Sequence, residues 1–163
     1  MRALRFIVAL VAALALLTWA ALVVVRQTTS QWFERDIRLR SDLAVAGTHD
    51  ALVAHWDRGN PEPLRDVLSN LTHDERIMAA VACGADLSVL SQAGDFPAQL
   101  SCASIGQRLR PEPDAPSTAW TAVFSKYALP AGTVHVSAIP LFDDQRPLGF
   151  IVLVHDMRFI ERR

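Results

Sequence analysis

The sequence has little lysine: Lys126 is the one lysine among sixteen basic residues. Net charge is −1, and no basic patch gathers the arginines. The electrostatic footprint of a nucleic-acid-binding protein is therefore missing. Only two cysteines are present, Cys83 and Cys102, and no CxxC, so the thiolate sets of structural zinc sites are excluded. No serine sits in a GxSxG elbow. No period repeats along the chain, which argues against a solenoid. Charge is missing altogether from one stretch, Phe6 to Val25, while prolines and glycines cluster in a few places.

That uncharged stretch reads FIVALVAALALLTWAALVVV. As a helix rising about 1.5 Å per residue it covers about 30 Å, the hydrocarbon thickness of a bilayer. A cleavable signal has a shorter apolar core ending in a small-x-small site. Here the best cut, after Thr18-Trp19-Ala20, would leave Ala21 to Val25 still apolar, so an uncleaved anchor is favoured over a cleaved signal. Arg2 and Arg5 precede the span; Arg26, Arg35, Arg38 and Arg40 follow it, interleaved with Glu34 and Asp36. The positive-inside count is thus indecisive. The short leading tail, 1–5, is that of a signal-anchor with its N-terminus inside and its domain outside, at a cytoplasmic membrane.

Residues 26–163 suffice for one domain with a real core. In an exported domain of this size the cysteine pair reads as a staple. A Cys83–Cys102 bridge would remove loop entropy worth roughly 3 kcal/mol. The alternative is two buried free thiols in a cytosolic domain.

Residues 27–56 contain no proline and read as a long helix continuing from the span, stopped at Arg58-Gly59-Asn60-Pro61. Along it lies the expected surface for a homodimer. Trp32 and Phe33 fall where headgroup-level rings, or rings packed on the domain, are expected. Pro63 opens a short helix whose Leu64, Val67, Leu68 and Leu71 share one face. The period then changes. Residues 77–83 and 87–91 form a predicted hairpin around Gly84-Ala85-Asp86. Residues 96–117 read as loop with one helical turn. Three strands are predicted at 120–127, 133–142 and 148–155. In the middle one Val134, Val136 and Ala138 alternate with His135 and Ser137, the mark of one buried face. GFIVLV in the last is apolar throughout and reads as central. Asp156 is placed to cap a final helix over 157–163. The expected class is α+β: a transmembrane helix running into a long helix, then an antiparallel sheet of about five strands. That is the layout of PAS-like or single-Cache-like extracytoplasmic sensor domains, here over 27–155.

Several phrases add a family resemblance. They are Trp32-Phe33-Glu34-Arg35-Asp36 with Arg40-Ser41, Asp74-Glu75-Arg76, Cys83, Phe96-Pro97 with Cys102, and the closing VHDMRFIERR of 154–163. Together they resemble the N-terminal, membrane-anchored region of the long bacterial trehalose-6-phosphate synthases, over nearly the whole chain. The resemblance implies a second span, a HAMP-like linker and a glycosyltransferase domain beyond Arg163, and a location at the bacterial inner membrane. No catalytic residue carries over, because no position here matches that catalytic domain.

The candidate chemistry is sparse. His49 and His55 fall on different helix faces and form no zinc pair, and His73 beside Asp74 reads as a helix terminus. No metal and no cofactor is expected. The Asn70-Leu71-Thr72 sequon matters only in a eukaryotic secretory route. Two weak sites are marked. Asp74, Glu75 and Arg76 stand between helix and strand, where they would line a ligand mouth or form a capping and ion-pair cluster. His155 and Asp156 stand where the last strand becomes the exit helix, as a signal junction or as a strand end with its cap; a histidine there titrates near pH 6.5. The sequence thus predicts a non-catalytic anchor and sensor with a small-molecule ligand. A ligand-free dimerisation or localisation module is the alternative, and a small envelope enzyme the third reading.

Overall fold

The structure, a computed structural model, describes residues 2–56, 61–74, 76–110, 116–130 and 132–156, with the side chains of 2–9, 26–34 and Ser117 outside that description. It divides into two units, up to Leu39 and from Arg40 onward.

The first unit belongs to a single helix, α1 (Arg2–Trp56). Its described apolar side chains between Leu10 and Val25 are exposed apart from the half-buried Val23, Leu17 by 69% and Trp19 by 67%. Thr18 is satisfied on the helix itself, its Oγ1 donating to the Leu14 carbonyl at 2.8 Å. Among the described residues no helix is long and apolar enough to cross a membrane. Of the predicted span, the side chains of 6–9 lie outside the description, and 10–25 alone is shorter than the about twenty residues a span takes. Trp32 and Phe33 also fall outside it.

The second unit is α+β, as its change of period implies. After α1 come α2 (Pro61–Leu71), β1 (Ile77–Gly84), β2 (Val89–Gly94), α3 (Cys102–Leu109), a 3-10 turn (Ser117–Ala119), β3 (Val123–Leu129), β4 (Gly132–Asp143) and β5 (Arg146–Asp156). The sheet has five strands in the order β2-β1-β5-β4-β3, every neighbouring pair antiparallel. The apolar β5 is central, as expected. It is the last strand in sequence yet lies between β1 and β4, because the chain crosses from one edge to the other through α3.

Each face of the sheet has its own core. On the first, Val45, Leu52 and Trp56 of α1 and Leu64, Leu68 and Leu71 of α2 pack over Ile151 and Leu153. The Trp56 indole donates to the Leu148 carbonyl at 3.0 Å, which pins the end of α1. On the second, Ile105 and Leu109 of α3 and Trp120 pack over Val81, Phe150 and Val152. Gly106 brings α3 close, since a Cβ there would meet the Phe150 ring. Trp120 meets that ring edge-on, centroids 5.6 Å apart. A Cys83–Cys102 disulfide, Cα atoms 5.7 Å apart, joins β1 to the first residue of α3. Ser101 caps the helix, its Oγ accepting from the Ser104 N–H at 3.2 Å.

Several expectations are corrected. β2 begins at Val89, because Leu87 is left-handed at φ 68° in a turn that Asp86 builds by accepting from both the N–H and the hydroxyl of Ser88. β3 begins at Val123, since Trp120 packs from a loop. The single helical turn expected within 96–117 is the capped α3. Asp156 is the last residue of β5, paired with Val134, its N–H donating to the Arg76 carbonyl at 3.3 Å. The helix predicted over 157–163 lies outside the described residues. In β4 both faces are buried, not one: His135 and Ser137 lie in the interior with the valines, because α1 covers their side.

Candidate functional site

In an antiparallel sheet of this order the starts of β1 and β4 and the ends of β2, β3 and β5 meet at one edge. There the structure leaves a cleft of about 290 Å³. Its lining includes the apolar Met78, Phe96 and Leu129 and the polar Asp95, Gln99, Thr133 and Asp156. Among the described residues no basic side chain lines it. Gly94 makes the loop possible. Its φ of +76° turns the chain where a side chain would strike the Met78 carbonyl, which instead accepts from the Asp95 N–H at 3.0 Å. Such a mouth suits a small molecule with an apolar body and polar groups.

Alternation along the strands carries the same ends to the other face. Asp156 borders the cleft, while His155 points beneath α1. There Ser41 Oγ donates to Ser137 Oγ at 3.1 Å and lies 3.0 Å from His155 Nε2. His135, opposite His155 in the β4–β5 register, meets it edge-on with centroids 6.3 Å apart. Ser41 and Ser137 are fully buried. Burial pushes the His155 imidazole down to about 4; the neighbouring His135 adds to the lowering, and Asp74 opposes it. A serine hydroxyl at hydrogen-bond distance from an imidazole is the pairing of a nucleophile and its base. Here Ser41 offers no surface to a substrate, so this arrangement does not support the reading as an envelope enzyme.

Of the residues marked in the sequence, Asp74 and Arg76 are exposed in the turn before β1. Asp74 Oδ1 accepts from the Arg76 N–H at 3.0 Å, and the Asp74 carbonyl accepts from the Ile77 N–H at 2.8 Å. Neither borders the cleft. Glu75 lies outside the described residues. His155 and Asp156 fall on opposite faces of one strand end. Among the described residues no three potential ligands gather for a metal ion. Sequence reasoning missed the cleft and the partners of His155. Phe96-Pro97 and the polar alternation of β4 were the available signals, but neither says what lies across the fold.

No family model matches the chain, and no curated protein matches it. Among solved structures it is similar to the ligand-binding domain of the Pseudomonas fluorescens chemoreceptor CtaA in complex with L-serine, at 13% identity and a TM-score of 0.48, over 80% of this chain and 57% of that one. It is also similar to the ligand-binding domain of Mlp24 with asparagine, at 14% identity and a TM-score of 0.46, over 83% of this chain and 59% of that one. The chain thus spans less than two thirds of either structure. Likeness at this level fixes neither fold nor ligand.

Proposed function

We propose that the chain is a non-catalytic, membrane-tethered sensor or regulatory module that binds a small molecule in the cleft at the end of the sheet. The cleft carries this reading. It is concave, mixed in polarity and placed at the strand end from which the chain leaves, so occupancy there bears directly on Asp156. The uncharged run Phe6–Val25 supports the tether, since a helix apolar on all sides needs an apolar surrounding. The disulfide supports an extracytoplasmic domain. The overall layout is that expected of a PAS-like or single-Cache-like sensor. The output would be a glycosyltransferase of the trehalose-6-phosphate synthase kind, attached on the cytoplasmic side; this link rests on the sequence phrases alone.

The test is a thermal-shift screen of small amines, polyols and amino acids on the full chain in detergent, repeated with Thr133→Arg. Stabilisation by a compound that is lost in the variant supports the reading; no stabilisation by any class counts against it. A second reading, a ligand-free dimerisation module, draws on the exposed Leu43, Ala46 and Gly47 along α1, a strip of apolar and small residues. A concentration-independent monomer in sedimentation would remove it.

A further inference from the structure

We propose that His155, with Ser41 and Ser137, forms a proton-operated latch that fixes the first turns of α1 in the domain to the sheet. The latch stands on its own geometry and holds whether or not the cleft takes a ligand.

Ser41 has one hydroxyl proton and two neighbours. When it donates to Ser137, it accepts from a proton on His155 Nε2, a bond that the neutral ring and the imidazolium both make, so a second proton enters at Nδ1 and acts through its charge rather than by breaking this bond. Among the described residues the groups that face His155 are few. β4 presents His135 and Ser137, β1 presents the apolar Ile77, and the turn before β1 places Asp74 in its field. α1 presents Ser41, with Arg40 and Asp42 exposed on either side of it. Asp74 is the carboxylate that favours a cation here, and it is exposed, where solvent screens it. His135 disfavours a cation. His155 itself is 5% exposed. A proton taken up at this position leaves a poorly compensated charge between helix and sheet.

The charge can be hydrated by lifting the start of the packed helix. The rest of α1 in this domain is held elsewhere: Leu52 is fully buried, and Trp56 bonds to the Leu148 carbonyl. His49 Nε2 lies 3.0 Å from the Phe142 carbonyl, midway along. Opening is thus confined to about 41–48, where Val45 is the one apolar residue of the first core that must lift, while 52–56 stays docked. An ordinary satisfied polar cluster would need no titratable member, and an apolar set would pack the same space at less cost. A proton-dependent contact does need one. The downward shift of His155 puts the opening well below neutral pH, as an acid response rather than a resting fluctuation.

The test is hydrogen exchange on the full chain in detergent between pH 7 and pH 4, corrected for the intrinsic rate, alongside an NMR titration of the histidine rings. Expected is a loss of protection of tenfold or more at 41–48 as pH falls from 6.5 toward about 4, the free and the packed values of His155, with 52–56 and 150–153 unmoved. His155→Asn, which keeps a hydrogen-bonding group but cannot take the proton, should flatten the response. His135→Asn should raise the midpoint of the titration and of the opening together. The proposal is overturned if His155 titrates while 41–48 keeps its protection, or if β5 opens in step with α1. It is also overturned if His135→Asn raises the titration of His155 while the loss of protection at 41–48 is unchanged, a readout that does not depend on His155→Asn folding.

Discussion

The two faces of the sheet are covered by unlike means. On the first lie the long α1 and the amphipathic α2, which bury two histidines and three serines along with their aliphatic side chains. On the second lie the eight-residue α3, a 3-10 turn and loops, with an apolar cover stapled by a disulfide and stacked through Trp120 and Phe150. A long helix fixed at several points tolerates a polar cluster under one end. A helix too short to stand alone needs a covalent tie and a cap. Both faces share the strand ends where His155 looks one way and Asp156 the other.

The largest change comes from emptying the second face. Phe150 is fully buried and contacts Trp120. Phe150→Ala should cost about 3–5 kcal/mol in urea unfolding. A loss below about 1 kcal/mol would mean that α3 and its loop collapse into the space, and that this face is less tightly packed than the first. Next is the staple. Cys83→Ala with Cys102→Ala should cost about 3 kcal/mol, with the exchange of α3 rising before that of α1. Equal loss of protection on both faces would show that they unfold as one.

The first face should respond to pH instead. His155 titrates near 6.5 when unfolded and at about 4 when folded. Between those values the unfolded chain holds the proton and the folded one does not. Stability should therefore rise as pH climbs from about 4 to 6.5 and level off above that, with a total on the order of 3 kcal/mol. His155→Asn should remove this part of the slope. An unchanged slope in the variant would assign the pH dependence to carboxylates elsewhere.

Much of the architecture was legible because it is local. The spacing of Leu64, Leu68 and Leu71 is the buried face of α2, and the unbroken GFIVLV is the central strand. The cysteine pair was legible as a staple. What the sequence concealed depends on what lies across the fold. Alternation in β4 implied a wet face at His135 and Ser137, and only the position of α1 makes that face dry. Asp156 reads in the sequence as the start of a helix, and its place at the end of β5 depends on cross-strand pairing with Val134. The cleft was the least legible feature. Its lining comes from the ends of four strands and the connections beside them, and no motif or period links Met78 to Phe96, Leu129 and Thr133.

The smallest expected effect concerns how the second face holds its short helix. Ser101 accepts from the Ser104 N–H, and the next residue, Cys102, carries the disulfide, so cap and staple act on the same turn. Ser101→Ala should cost about 1 kcal/mol in the oxidised protein, because the bridge still holds the start of α3 against β1 when the cap is gone. In the cysteine-free background that restraint is absent, and the frayed turn can leave the sheet. If cap and staple share the task, the two losses are not additive, and their coupling should lie between about 0.5 and 1 kcal/mol. Urea unfolding of the four proteins in this cycle measures it. Strict additivity would mean that the packing of Ile105 and Leu109 on the sheet fixes α3, and that the faces differ less than their covers suggest.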